Sequence, residues 1–258
     1  AGRGPLAGPV VASAVIFDQN TYIEGVNDSK KISKKKRDMY YDEIMSKASH
    51  VGVGIVYPEE IDKVNILNAT KEAMRRAIQA LNIEPDLVLV DGNQIEFPEY
   101  NQESIIKGDS KSFSIASASI VAKVTRDRIM NNYSKLLPEY GFESHKGYGT
   151  KKHIEAIKKN KSSIIHRKSF KPIVDYIPTF SHYVDNEILD KLLIQIAGDY
   201  LIKGKHEILS VKYPVIKSVF QDSYYKFLVE SNIICNDLKN NQREIDLINK
   251  IINIKFQN

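Results

Sequence analysis

The chain has 258 residues, 42% of them hydrophobic and 27% charged, a composition ordinary for a soluble protein and long enough for one large domain or a domain with an appendage. The longest apolar run, Val10–Phe17 around Ser13, falls far short of a bilayer span, no charged-then-apolar leader is read, and Cys235 is the only cysteine. A membrane-spanning helix and an internal disulfide are thereby excluded, and a cytoplasmic protein is expected.

Charge is unevenly placed. Residues 1–175 hold 27 Lys and Arg against 22 Asp and Glu, while residues 176–258 hold ten of each, so the whole excess of +5 lies in the first part. A Gly-Arg-Gly turn at Gly2–Gly4 feeds the first predicted strand, residues 8–17, rich in Val and Ala. The densest basic stretch follows, DSKKISKKKRD over Asp28–Asp38. It has two readings: a contact for a phosphate backbone, or the solvated start of a helix, the simpler account of a lone lysine run.

Helical spacing is predicted over Ser33–Lys47, then a strand over residues 51–57 (VGVGIVY), then a helix over Asn65–Leu81 through Ile66, Ala69, Ala73, Ala77 and Leu81. The run LVLVD, Leu87–Asp91, closed by Gly92-Asn93, reads as a strand buried on both faces. A short β-like run precedes Lys107-Gly108-Asp109. A long helix over Ser112–Asn131 keeps one side small through Ala116, Ala118 and Ala122. Strands alternate with helices, so the fold class is α/β. Residues 138–171 are loop-rich and basic around a helix at Lys151–Lys159, and Pro172 and Pro178 bracket a boundary. From Asp185 onward, two or three helices are expected, interrupted at Pro214.

Asp91 ends a strand, where side chains project into the crevice at the carboxyl edge of an α/β sheet, although Asp-Gly is also a plain turn signal. Asp109 is placed to share a site with it. Asp127 lies about 15 residues, or ~22 Å, inside the long helix and is assigned instead to an ion pair with Lys123 one turn earlier or with the adjacent arginines. Phosphodiester hydrolysis is assisted by oxygen-ligated Mg²⁺ or Mn²⁺, and a pair of such ions needs about four carboxylates. Tyr148, between Gly147 and Gly149, either stacks on a base or sugar or pins its loop. His145, His153 and His166 are not in a zinc spacing, and no metal is assigned to them.

Taken together, GRGPLAGPVV, NDSKKIS, EIDKVNILNAT, VLVDGN, KGDS, SIASASIVAKVTRD, YGFESHKGYGTKKH and HRKSF resemble ribonuclease HII, the type 2 ribonuclease H of bacteria, in order and over residues 1 to about 172. The resemblance implies a ribonuclease H-like fold with a central mixed sheet flanked by helices. It implies an endoribonuclease that cuts RNA in RNA–DNA hybrids and at single ribonucleotides in duplex DNA, leaving 5′-phosphate and 3′-hydroxyl ends by two-metal-ion catalysis with Mg²⁺ or Mn²⁺. The family's four carboxylates are an adjacent Asp-Glu pair, the Asp of VDG and the Asp of GD. The last two correspond to Asp91 and Asp109, as catalytic and metal-binding residues. The Asp-Glu pair would stand directly before Ala1, so the chain beginning at Ala1 is expected to be an inactive, N-terminally truncated form.

The resemblance also assigns recognition roles. Gly2, Arg3 and Gly4 would read the ribose 2′-hydroxyl, Tyr148 would pack on the sugar after the ribonucleotide, and Ser29, Lys30 and Lys146 would contact phosphates. The domains expected are residues 1–175 for catalysis and 180–258 as a helical extension, in a protein that is monomeric. The competing reading is a non-catalytic hybrid-binding protein whose extension serves as an interaction module.

Overall fold

The computed structural model describes residues 1–177 except 28, 30, 31, 93, 94 and 164. Contacts divide the chain after Arg128 into two compact units, Ala1–Arg128 and one that begins at Ile129. The α/β class holds, with both antiparallel and parallel strand pairing. The boundary predicted between Pro172 and Pro178 falls at the edge of the described residues, and the helices expected after Asp185 lie outside them.

In the first unit, strand β1 (Val10–Ile16) pairs antiparallel with β2 (His50–Val56), Val10 facing Val56 and Ile16 facing His50. Between them runs helix α1 (Lys34–Lys47), capped by Ser33, whose hydroxyl accepts from the Lys36 N–H at 3.3 Å. Lys34, Lys35 and Lys36 make its exposed first turn. Only Tyr40 and Ile44 of α1 are buried, joining Val15, Ile23, Ile120, Val121 and Val124 in one core cluster.

Helix α2 (Pro58–Gln79) starts earlier than its apolar spacing predicts. It is two segments in series, joined at Asn65, whose φ of 68° is non-helical and whose Oδ1 accepts from the N–H groups of Leu67 and Asn68 at 3.0 and 3.1 Å. The helix predicted from Asn65 is the second segment. The first, opened by Pro58 with Glu59 and Glu60 behind it, carries a start signal but too short an apolar stripe to be read alone.

The second segment explains the glycines of VGVGIV. Ala69, Ala73 and Ala77 recur every four residues and are fully buried, and a methyl group on Gly54 would lie 1.9 Å from the Ala73 carbonyl oxygen, one on Gly52 2.0 Å from that of Ala77. Strand and helix backbones touch directly, a distance only glycine permits.

Strand β3 (Val88–Asp91) pairs in parallel with β4 (Gln102–Ile105), Asp91 facing Ile105. The expectation that β3 is buried on both faces is corrected: Val90 alone is buried, and Leu87 is 46% exposed. Its partner strand, Gln-Glu-Ser-Ile, is polar and brings little apolar cover. Val90 packs with Ile78, Leu81, Ile95 and Phe97. Helix α3 (Phe113–Leu136) begins where predicted and runs about a turn further.

The second unit contains a 3-10 turn at Pro138–Tyr140, the short helix α4 (Phe142–His145), and α5 (Lys151–Asn160), where a helix is predicted and which Thr150 caps. Phe142 stacks on Tyr140 with ring centroids 5.4 Å apart, and Ile157, Ile165 and Ile173 are buried. Among the described residues no helix is long and apolar enough to cross a membrane.

The backbone contact of β2 with α2 makes a specific prediction. Gly54→Ala forces the Ala73 carbonyl to move and should cost about 1–3 kcal/mol, as over-packed cores do. Urea denaturation of the two proteins measures it; an unchanged midpoint would mean the strand and helix separate freely.

Candidate active site and nucleic-acid interface

The carboxyl end of β3 is fixed by hydrogen bonds on two sides. The Gly92 N–H donates to the Ile105 carbonyl at 2.9 Å, continuing the parallel ladder, and Asp91 Oδ1 accepts from the Gly108 N–H at 2.9 Å. Gly108 opens a 3-10 turn, Gly108–Ser110, entered through Lys107 in the left-handed conformation and closed by the Ser112 N–H on the Gly108 carbonyl at 2.8 Å. Asp109 is the middle residue of that turn. Asp91, exposed, and Asp109, half-buried, are therefore brought to one place by a bond between the first and the neighbour of the second.

Two carboxylates give hard oxygen donors of the kind Mg²⁺ and Mn²⁺ take. Among the described residues no group of three or more His, Cys, Asp or Glu side chains is arranged to hold a metal ion. The pair thus fits a hard cation in donor type and supplies part of a donor set. Asp127 stands elsewhere: Lys123 Nζ donates to its Oδ1 at 2.7 Å, the pairing its position one turn along the helix predicts.

The Gly2-Arg3-Gly4 turn belongs to the same unit. Gly2 is buried with φ of 89°, while Arg3 and Gly4 are exposed. A Cβ on Gly2 would lie 2.2 Å from Arg126 Nε, because the first loop wraps the Arg126 guanidinium. That group is 1% exposed, and donates from Nε to the Pro9 carbonyl at 2.9 Å and from Nη2 to the Ala7 carbonyl at 3.0 Å. Sequence reasoning missed Arg126. Its signal was present, a charged residue on the α3 stripe that carries Ala122 one turn before and Met130 one turn after, both buried.

Ser29 is buried, its hydroxyl 3.0 Å from that of Ser119, and the Arg37 guanidinium donates to its carbonyl at 2.8 Å. Lys30 lies outside the described residues.

In the second unit, Lys146 has left-handed backbone and its ammonium donates to Asn131 Oδ1 at 2.7 Å and to the Glu143 carbonyl. The Ser134 hydroxyl bonds the Glu143 carboxylate and, with the chain's own N–H, holds that carboxyl below the usual range. Tyr148 is 45% exposed on a fixed backbone: its N–H donates to the His145 carbonyl at 2.9 Å, and its carbonyl accepts from the Thr150 N–H at 2.8 Å.

Behind that loop the three histidines, assigned no role by their spacing, come together. His145 stacks on His153 with ring centroids 4.3 Å apart, and His153 Nε2 meets His166 Nε2 at 3.1 Å. Burial is the main cause that lowers all three below the ordinary histidine value; His153, also repelled by His145, is lowered to about 4, and His166 well below 6.5. The signal was the run of three histidines in a stretch dense in aromatics, where an imidazole on an apolar face is buried rather than solvated.

Neutral buried imidazoles tie stability to pH. The unfolded chain binds protons below about 6.5 and the folded one does not, so stability is full above 6.5 and falls as pH drops from 6.5 toward about 4. The slope should be about 1.4 kcal/mol per pH unit for each imidazole that stays neutral. Urea midpoints between pH 7.5 and 4.5, with and without His153→Leu, measure it; a slope the substitution does not reduce would contradict it.

The family model for ribonuclease HII matches residues 1–173. The chain is 61% identical over 170 residues to Ribonuclease HII of Clostridioides difficile, covering 66% of this chain and 67% of that relative. It is 55% identical over 173 residues to Ribonuclease HII of Bacillus licheniformis, covering 67% and 68%. Among solved structures, ribonuclease H2 from Pyrococcus horikoshii is similar with a TM-score of 0.56 at 28% identity, over 68% of this chain and 93% of that one.

Proposed function

The chain belongs to the ribonuclease HII family of metal-dependent hydrolases, and from that membership we propose an endoribonuclease that cuts the RNA strand of RNA–DNA hybrids and cuts at single ribonucleotides embedded in duplex DNA. The products are 5′-phosphate and 3′-hydroxyl ends. The observation that carries the catalytic reading is the Asp91 Oδ1 bond to the Gly108 N–H, which gathers Asp91 and Asp109 at one sheet edge.

Asp91 and Asp109 are the residues that would hold the cations. Bound Mg²⁺ or Mn²⁺ ions, in a two-metal arrangement, would generate the nucleophile from water and stabilise the charge of the leaving oxygen. The Gly108 N–H orients the Asp91 carboxylate by holding its Oδ1. Arg126 holds the first loop so that Gly2, Arg3 and Gly4 meet the ribose 2′-hydroxyl, the group that separates RNA from DNA.

Tyr148 supplies an exposed ring for the sugar that follows the ribonucleotide. Lys30 and Lys146 contact phosphates, which positions the duplex without reading its bases, whereas Ser29, also expected to do so, is buried against Ser119 and serves by holding its loop. The exposed lysines that open α1 support this: three cations and no acid in a first turn oppose the helix dipole, and an anion there relieves them.

Two experiments test the reading. Cleavage of a duplex with one ribonucleotide is measured for residues 1–258 and for the same chain preceded by Asp-Glu and a few strand residues. The two carboxylates alone should bind hybrid in a salt-sensitive way without cutting, and the extended chain should cut with Mg²⁺ or Mn²⁺. Asp91→Asn in the extended chain should lower cleavage by at least ~100-fold while binding persists. Robust cutting by residues 1–258, or by the Asn variant, would remove Asp91 and Asp109 from the centre of the site. In the second, Tyr148→Ala should reduce the preference for a lone ribonucleotide over a continuous hybrid; an unchanged ratio of the two rates would reject the sugar-facing role.

A further inference from the structure

The hydrogen-bond partners of the buried histidines fix their tautomers. The Ser163 N–H donates to His166 Nδ1 at 2.9 Å, with the Ser163 hydroxyl at 2.8 Å, so that nitrogen is an acceptor and the proton of neutral His166 sits on Nε2. His166 Nε2 faces His153 Nε2 at 3.1 Å, which makes the latter an acceptor and puts the proton of His153 on Nδ1. His153 Nδ1 faces the Tyr148 carbonyl at 2.9 Å, to which it donates. The bonds therefore run in one direction, from the Ser163 main chain through two imidazoles to the main chain of Tyr148.

We propose that His153 and His166 are positioning residues for Tyr148: this directed chain of hydrogen bonds sets the backbone that presents the ring to the substrate, and it is complete only while both imidazoles are neutral. The inference rests on the reading of Tyr148 as the sugar-facing ring. A proton added to His153 Nε2 would point at the His166 Nε2 proton. His166 can relieve that clash only by moving its own proton to Nδ1, against the Ser163 N–H. One added proton thus breaks the chain at one link or the other: the His153 Nδ1–H still faces the Tyr148 carbonyl, but that donor is no longer anchored through His166 to the Ser163 main chain.

The groups that face the chain do not counter this. His145 stacks on His153 and is itself held between the Tyr140 carbonyl, 2.8 Å from its Nε2, and the Gly147 N–H, 3.2 Å from its Nδ1. Lys168 acts on His166 as a repelling cation, and Glu143 and Lys146 act in opposite senses on His145. The Tyr140 ring lies 5.0 Å from His166, and the neighbouring Arg167 lies over Phe170. Among the described residues Glu143 is the one carboxylate acting on the cluster, and it acts on His145, outside the directed chain.

The first test needs no activity. Long-range proton–nitrogen spectra of the imidazoles in residues 1–258 at pH 7.5 should show His153 protonated on Nδ1, the rarer tautomer, and His166 on Nε2. The reverse assignment, or a charged ring at that pH, would overturn the proposal. The second uses the chain extended by Asp-Glu and compares cleavage of a lone-ribonucleotide duplex with that of a continuous hybrid. His153→Asn keeps an N–H near the Nδ1 position and should retain most of the preference as pH falls toward about 4, the range over which His153 takes up its proton and the parent loses the preference. His153→Leu should lower the ratio by about tenfold, as a displaced positioning group does.

If Tyr148→Ala lowers the ratio and a folded His153→Leu does not, the positioning role is wrong while the reading of Tyr148 stands. If Tyr148→Ala leaves the ratio unchanged, that reading fails and the positioning role fails with it, whatever the tautomers. Should His153→Leu not fold, the Asn variant decides: a ratio that falls with pH as in the parent rejects the chain.

Discussion

A cation with almost no solvent contact organises the beginning of this fold. The Arg126 guanidinium would be costly to bury without partners, and the carbonyls of Ala7 and Pro9 are among those that receive its protons. Those carbonyls can do so only if the first loop curls around the side chain, and the loop can curl only if Gly2 carries no Cβ. The same loop delivers the chain into β1, β1 sets the register of β2, and β2 lies against α2 through its glycines. One charged residue on a helix thus fixes the path of a segment more than a hundred residues earlier.

What the sequence discloses and what it hides divide by range. Asp127 is legible as the partner of Lys123 because a helix puts residues four apart side by side. Asp91 and Asp109 are legible as a pair because one ends a strand and the other lies in a turn beyond the next strand, a topology that sets them together. Arg126 and the three histidines are not, because their partners lie on other elements and nothing in local spacing names them. The kink at Asn65 is hidden for a different reason: a single left-handed residue whose side chain caps the next segment leaves the apolar spacing almost continuous. The polar character of β4, which leaves β3 half open, is visible only once the two strands are known to pair.

The groups proposed for catalysis and those that shape the proposed recognition loops are built by different means. The carboxylates stand at a sheet edge and on a tight turn, close to water, where a cation and a substrate can reach them. The groups that set the geometry of the loops, Arg126 and the imidazoles, are buried and turn their hydrogen bonds to main-chain carbonyls and amides. Chemistry is left exposed and shape is held from inside, so a substitution at a buried polar position reaches the surface as a displaced backbone rather than as a missing functional group.

Tyr148 shows what that arrangement brings to association. Both polar groups of its main chain are engaged within the protein while nearly half of its side chain faces solvent. A loop of Gly-Tyr-Gly would ordinarily sample many conformations, and a ligand gripping it would have to restrict them. Here the restriction happens at folding. A sugar face that meets the ring encounters a surface already ordered, and a weak stacking contact can contribute to affinity almost undiminished by lost entropy.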